Sequence, residues 1–150
     1  MSTSAPYRHF ENRDELLTAV AAQGYETLHQ SLGQAAASTA DAAERLLRLG
    51  GAYVRFAHDH PDLFVTMFRS RPDAQPVGQE SFDVLLRAVS DAQRERILST
   101  KPSAELLARS IWATLHGLAS LSLRQPHERF GMGAPPEDLA TTTLSAILGL

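Results

Sequence analysis

The residues that could do chemistry are few and scattered. The chain carries six histidines and no cysteine, which removes disulfides, thiolate metal sites and cysteine nucleophiles. His58 and His60 stand two apart, with Asp59 and Asp62 beside them. On one helix that spacing turns the rings to different faces, whereas a helical ligand pair needs a spacing of three or four. No metal site is expected. Serine, histidine and aspartate are all present, but without a strand-to-helix nucleophile elbow, a phosphate loop or a dinucleotide fingerprint. No catalytic residue and no cofactor are therefore assigned, and the chain is not expected to be an enzyme. What remains is a family of rings: Tyr53, Phe56, Phe64, Phe68, Phe82, Trp112 and His116. Each taken singly reads as core. Taken together they can wall a cavity, with Tyr53, Trp112 and His116 as its polar groups.

The elements that must position these rings are helices. The first begins at Arg13, where Asn12 can cap and Glu15 follows three residues on; Leu17, Val20, Gly24, Leu28 and Leu32 recur along it, and it should fade near Gly33. A second starts after Ser38 or Thr39 with Asp41 in its first turn. It shows a broad apolar stripe through Leu46, Leu47, Gly50, Tyr53, Val54 and Ala57. Gly50 and Gly51 inside it each cost about 1 kcal/mol relative to alanine, so the pair implies close helix approach or a kink. Pro61 suits the first position of a short third helix, over residues 62–69. A loop follows at 71–78, then a fourth helix over 79–98. Pro102 restarts the chain, and the fifth helix, 103–123, is apolar so far round that it should be a central helix or a subunit interface. A loop at 125–136 leads to a last helix, 137–148, exposing Leu139, Thr143, Ala146, Ile147 and Leu150. No alternating strand pattern of useful length occurs. The expected fold class is all-α.

With 150 residues, 43% apolar and 21% charged, the composition is that of one globular domain. A formal net charge of −3 is no footprint of a nucleic-acid-binding domain, which is normally basic. No apolar run approaches a membrane span, and residues 1–10 lack the apolar segment of a signal peptide. No membrane partner is expected, and the cytoplasm is the expected location.

Three stretches, in order, resemble the TetR family of bacterial transcriptional regulators. Ala5-Pro6-Tyr7-Arg8-His9-Phe10 with Asn12-Arg13-Asp14-Glu15-Leu16-Leu17 is similar to the end of that family's recognition helix and the start of its fourth helix. Tyr53-Val54-Arg55-Phe56-Ala57, His60-Pro61-Asp62-Leu63-Phe64 and Met67-Phe68 form the second stretch. Ile111-Trp112-Ala113-Thr114-Leu115-His116-Gly117-Leu118-Ala119 is the third. The last two resemble the ligand-binding half of the subgroup with a Trp-His-Gly signature. The front departs from the pattern, because the first two helices of the helix-turn-helix are missing. The expectation is a start placed too late in a longer gene, with a genuine truncation as the rival.

The resemblance implies a TetR-like C-terminal ligand-binding and dimerisation domain over residues 12–150. Residues 1–11 are then a remnant of the recognition helix. Ser2, Thr3 and Ser4 would lie near bases or phosphates, Tyr7, His9 and Arg13 at phosphates, and Phe10 would pack inward. A one-turn helix without its scaffold is unstable, so this chain should bind DNA weakly or not at all. Operator DNA is a partner only with the missing helices present. The implied effector is small and apolar or aromatic, held by Tyr53, Phe56, Phe64, Met67, Phe68, Phe82, Leu86, Trp112, Leu115 and His116. The implied homodimer would bury Leu118, Leu121, Leu139, Thr143, Ile147 and Leu150, which could equally be core of the single chain. The function implied is a ligand-responsive DNA-binding regulator, with repression the commoner mode. The alternative is a headless ligand-binding module that forms mixed dimers with full-length regulators.

Overall fold

The structure, a computed structural model, describes residues 10–69, 78–124 and 129–150. Among the described residues six α-helices and one short 3-10 turn occur and no strand: α1 Arg13–Ala37, α2 Ala42–Asp59, α3 Pro61–Met67, α4 Gln79–Arg94, α5 Ala104–Arg124 and α6 Pro136–Leu148, the turn being Arg129–Gly131.

Local chemistry sets most of the boundaries. The Asn12 side chain accepts from the Glu15 N–H at 2.9 Å, and the Glu15 carboxylate accepts from the Glu11 N–H at 2.6 Å. Together they satisfy donors that a helix start leaves open. Asp41 caps α2 in the same way, accepting from Glu44 N–H at 2.7 Å. Pro61 sits in the first turn of α3 as expected, since its missing N–H costs nothing there.

Two helix ends differ from the sequence expectation. α1 runs through Gly33 to Ala37. A single glycine is a small penalty, and Ala35-Ala36-Ala37 supplies the best helix formers beyond it. Ser38 then closes the helix, its hydroxyl and its N–H both donating to Ala35 O. α4 stops at Arg94 rather than near Leu98. Arg96 adopts the left-handed φ of 62°, which no right-handed helix can continue through. The buried Gln93 amide fixes this reversal, donating to Ser99 O at 2.7 Å and to Pro102 O at 2.9 Å.

α2 is the central helix, packing against α1, α3, α4, α5 and α6. α5, read from sequence as a central helix or a subunit interface, packs on α2, α4 and α6. α2 holds the centre because of its small residues. A Cβ on Gly50 would lie 2.5 Å from Leu144 Cδ1 and 3.3 Å from Leu115 Cδ2, and one on Gly51 would lie 3.3 Å from Glu137 Cγ. The glycine pair is therefore a seat for α6 and α5. The apolar surplus of α5 is left partly uncovered: Leu106 is 44% exposed and Leu121 47%.

Candidate functional site

The first ring of the site comes from α2. Tyr53 is 1% exposed and its hydroxyl lies 3.0 Å from His116 Nδ1 on α5. One turn before His116, Trp112 meets Tyr53 edge-on with ring centroids 5.0 Å apart. α3 and its C-cap contribute Phe64, stacked on His116 at 5.2 Å, and Phe68, edge-on to it at 4.4 Å. Phe64 also meets Tyr53 at 6.0 Å and Phe68 at 5.0 Å. From α4, Phe82 reaches Trp112 at 5.9 Å. The spacing of four between Trp112 and His116 puts both on one face of α5. The short α3, bounded by Pro61, brings Phe64 and Phe68 to the same place.

The polar atoms inside this cluster have a defined arrangement. Burial pushes the Tyr53 phenol well above its ordinary range, with neighbouring Tyr25 adding to the shift, so it stays protonated and acts as a donor. Burial also lowers the His116 pKa, so the imidazole is neutral at pH 7. A neutral ring that accepts at Nδ1 carries its hydrogen on Nε2.

Of the ten residues expected at a ligand site, six form this ring cluster: Tyr53, Phe64, Phe68, Phe82, Trp112 and His116. The other four make no ring contact with that cluster among the described contacts. Phe56 is buried and faces the His60 ring at 5.1 Å. Leu115 points to the α2–α6 seam, beside Gly50. Met67 is buried against Gly24, where a Cβ would lie 2.6 Å from its sulfur. Leu86 packs on the core, half-buried. Tyr25 was missed. Its ring meets Phe68 at 5.6 Å and its hydroxyl donates to Met67 O at 3.3 Å. The spacing of Tyr25, Leu28 and Leu32 carried the signal, because it sets Tyr25 beside the buried stripe of Ala21, Gly24, Leu28 and Leu32.

The ring centroids lie 4.4–6.0 Å from their neighbours. A cavity of about 200 Å³ opens at their edge, lined by Phe64, Val65, Phe68, His116, Ser120, Leu123 and Arg124. A cleft of about 380 Å³ lies between α1 and the start of α4, beside Tyr25, His29 and Gly78. Another, of about 480 Å³, runs between α1, α2 and α6 near the Arg55–Glu137 ion pair.

His58 and His60 do not share a helix, because His60 is the non-helical residue between α2 and α3. His58 Nε2 lies 2.8 Å from Ser122 Oγ. Because that hydroxyl donates to Ala119 O, the imidazole is the donor. Among the described residues no group of three or more histidines or carboxylates could hold a metal ion, and no helix is long and apolar enough to cross a membrane.

Of the residues assigned to DNA, Ser2, Thr3, Ser4, Tyr7 and His9 lie outside the described residues. Arg13 opens α1 and is exposed, and Phe10 is half-buried. Of those assigned to a dimer interface, Leu118 and Leu139 are 8% and 6% exposed. They belong to the core cluster of the single chain. Thr143 and Leu150 are intermediate, whereas Leu121 and Ile147 are exposed.

Residues 46–147 match the family model described as "Tetracyclin repressor-like, C-terminal domain". No curated protein matches the chain. Among solved structures, a protein of unknown function from a Rhodococcus species is 31% identical with a TM-score of 0.82, over 97% of this chain and 76% of that one. The TetR family transcriptional regulator PfmR from Thermus thermophilus shares the fold, with a TM-score of 0.75 at 19% identity, over 99% of this chain and 82% of that one. Helix order and family match agree: the chain belongs to the TetR family of transcriptional regulators and carries the family's C-terminal domain.

Proposed function

We propose that this chain is the effector-sensing and dimerising body of a ligand-responsive, DNA-binding regulator. The commonest mode in such a family, repression, is the mode we assign. The observation that carries the reading is the ring cluster around His116. Rings from α2, α3 with its C-cap and α5 meet at one part-buried Tyr53–His116 pair, Phe82 of α4 reaches Trp112 beside it, and a cavity opens at its edge. Aromatic walls with a few directed polar groups suit a small apolar or aromatic molecule. Because α1 packs on α2, α3 and α4, a molecule that shifts α3 or α4 would also move α1, whose Arg13 end would lead to the DNA-reading head. Such coupling requires only that the effector prefer one of two arrangements. Leu121 on α5 and Ile147 on α6 offer the second subunit an apolar surface.

Thermal melting in the presence of small aromatic compounds tests this reading. A compound at a hundredfold excess over its Kd stabilises by about 2.7 kcal/mol, a rise of roughly 5–10 °C for a chain of this size. The same compound should change the fluorescence of Trp112, the sole tryptophan. Stabilisers that leave Trp112 unchanged would place the effector elsewhere and contradict the proposal.

A further inference from the structure

The cavity beside the ring cluster has a chemistry of its own. Its apolar wall is Phe64, Val65, Phe68 and Leu123, and its polar groups are His116, Ser120 and Arg124. No acidic residue lines it among the described residues. The guanidinium of Arg124, in the last turn of α5, is a donor only, and the Ser120 hydroxyl can donate. His116 is the third donor. Tyr53 occupies its Nδ1 from the core side, which leaves the hydrogen on Nε2, a nitrogen with no protein partner among the described residues. Ser120 and Arg124 follow His116 at intervals of four along α5, so the three donors form one row on a single helix face.

A row of donors that includes one full positive charge, set against two phenylalanine rings, fits an anion with an apolar body. We propose that this cavity binds a small organic carboxylate, its carboxylate on Arg124, Ser120 and the His116 Nε2–H, and its aromatic or short aliphatic part against Phe64 and Phe68. The inference rests on the effector-sensing reading and narrows its ligand from any apolar molecule to an acid. A cavity of about 200 Å³ holds a single ring or a short chain, below the size usual for drug-like ligands. Charge-assisted hydrogen bonds from a guanidinium to a carboxylate are the strongest available to such a site.

Calorimetric titration of the 150-residue chain with benzoate, hexanoate and indole-3-carboxylate, each against its own neutral amide, tests the proposal. At least one acid should bind about tenfold or more tightly than its amide. Arg124→Gln should remove most of that preference, weakening the acid about tenfold in Kd and the amide by a smaller factor. Ser120→Ala should weaken the acid by a smaller factor. Arg124 is exposed at a helix end, so its replacement leaves the fold intact, which circular dichroism would verify. Equal binding of acids and amides, or an acid preference that survives Arg124→Gln, overturns the carboxylate assignment while leaving a neutral effector tenable. If no acid in the set binds, the assignment also falls. The broader reading then depends on the Trp112 response to neutral compounds.

Discussion

At the scale of single residues, the Tyr53–His116 hydrogen bond is the most informative contact. It joins α2 to α5 inside an apolar cluster, where an unmade bond is costly. Tyr53→Phe removes the hydroxyl that His116 Nδ1 faces and leaves that nitrogen unsatisfied. The expected loss is about 1–3 kcal/mol of stability, read by urea unfolding. His116 itself should confer a pH dependence. Its native pKa lies below the usual 6.5 because burial disfavours the imidazolium. In the unfolded chain the same ring takes up a proton near 6.5. Its contribution is therefore fully present above that pH and is lost as pH falls through the native pKa. His116→Gln should flatten the decline in urea midpoint between about pH 7.5 and 5, and an unchanged slope would place the sensitivity elsewhere. The residue types of this site were legible in the sequence, since Tyr53, Trp112 and His116 are the polar rings among apolar neighbours. Their partners were less so. Leu115 sits on the same helix as His116 but points to the seam beside Gly50, and Phe56, on the helix of Tyr53, meets His60; side-chain direction follows from packing rather than from spacing alone.

At the scale of elements, α2 organises the molecule through what it lacks. Gly50 has no room for a side chain, with Leu144 and Leu115 filling the space, whereas a Cβ on Gly33 would meet nothing within 4 Å. The two glycines should therefore respond in opposite ways. Gly50→Val should destabilise by about 1–3 kcal/mol through overpacking. Gly33→Ala should stabilise by up to about 1 kcal/mol, because it replaces a poor helix former in open space. Thermal or urea melts of both variants check the pair, and equal signs would contradict the account. Helix starts were readable from Asn12 and Pro61, whose chemistry is local, whereas α2 begins at Ala42 with Asp41 as its cap rather than after Ser38 or Thr39. Helix ends were harder to read. The stop of α4 depends on the left-handed Arg96 and on Gln93 reaching Ser99 and Pro102, contacts that exist only once the chain has turned. The same limit explains why α5 read as either a central helix or a subunit interface. Its apolar residues outnumber the neighbours able to cover them, and only the assembled fold shows that α2 takes the middle.

For the whole molecule, the account rests on a helical body that senses a small molecule and meets a second copy of itself. Exposed Leu121 and Ile147 are 47% and 53% accessible, and a homodimer would cover them as obligate interfaces cover apolar surface. Leu121→Asp with Ile147→Asp should convert a dimer into a monomer by light scattering with the helical signal retained. Monomeric wild-type protein at micromolar concentration would contradict the interface. Leu118 and Leu139 could not be separated from these two by sequence, since all four lie on apolar faces of α5 and α6 and only burial distinguishes them. The central claim is that the rings around His116 receive the effector, and nuclear magnetic resonance tests it most directly. A small aromatic compound that binds should produce saturable chemical-shift changes concentrated at Phe64, Phe68, Trp112, His116 and Ser120. Saturable changes confined to the cleft between α1, α2 and α6, or to the surface around Tyr25 and His29, would contradict the account.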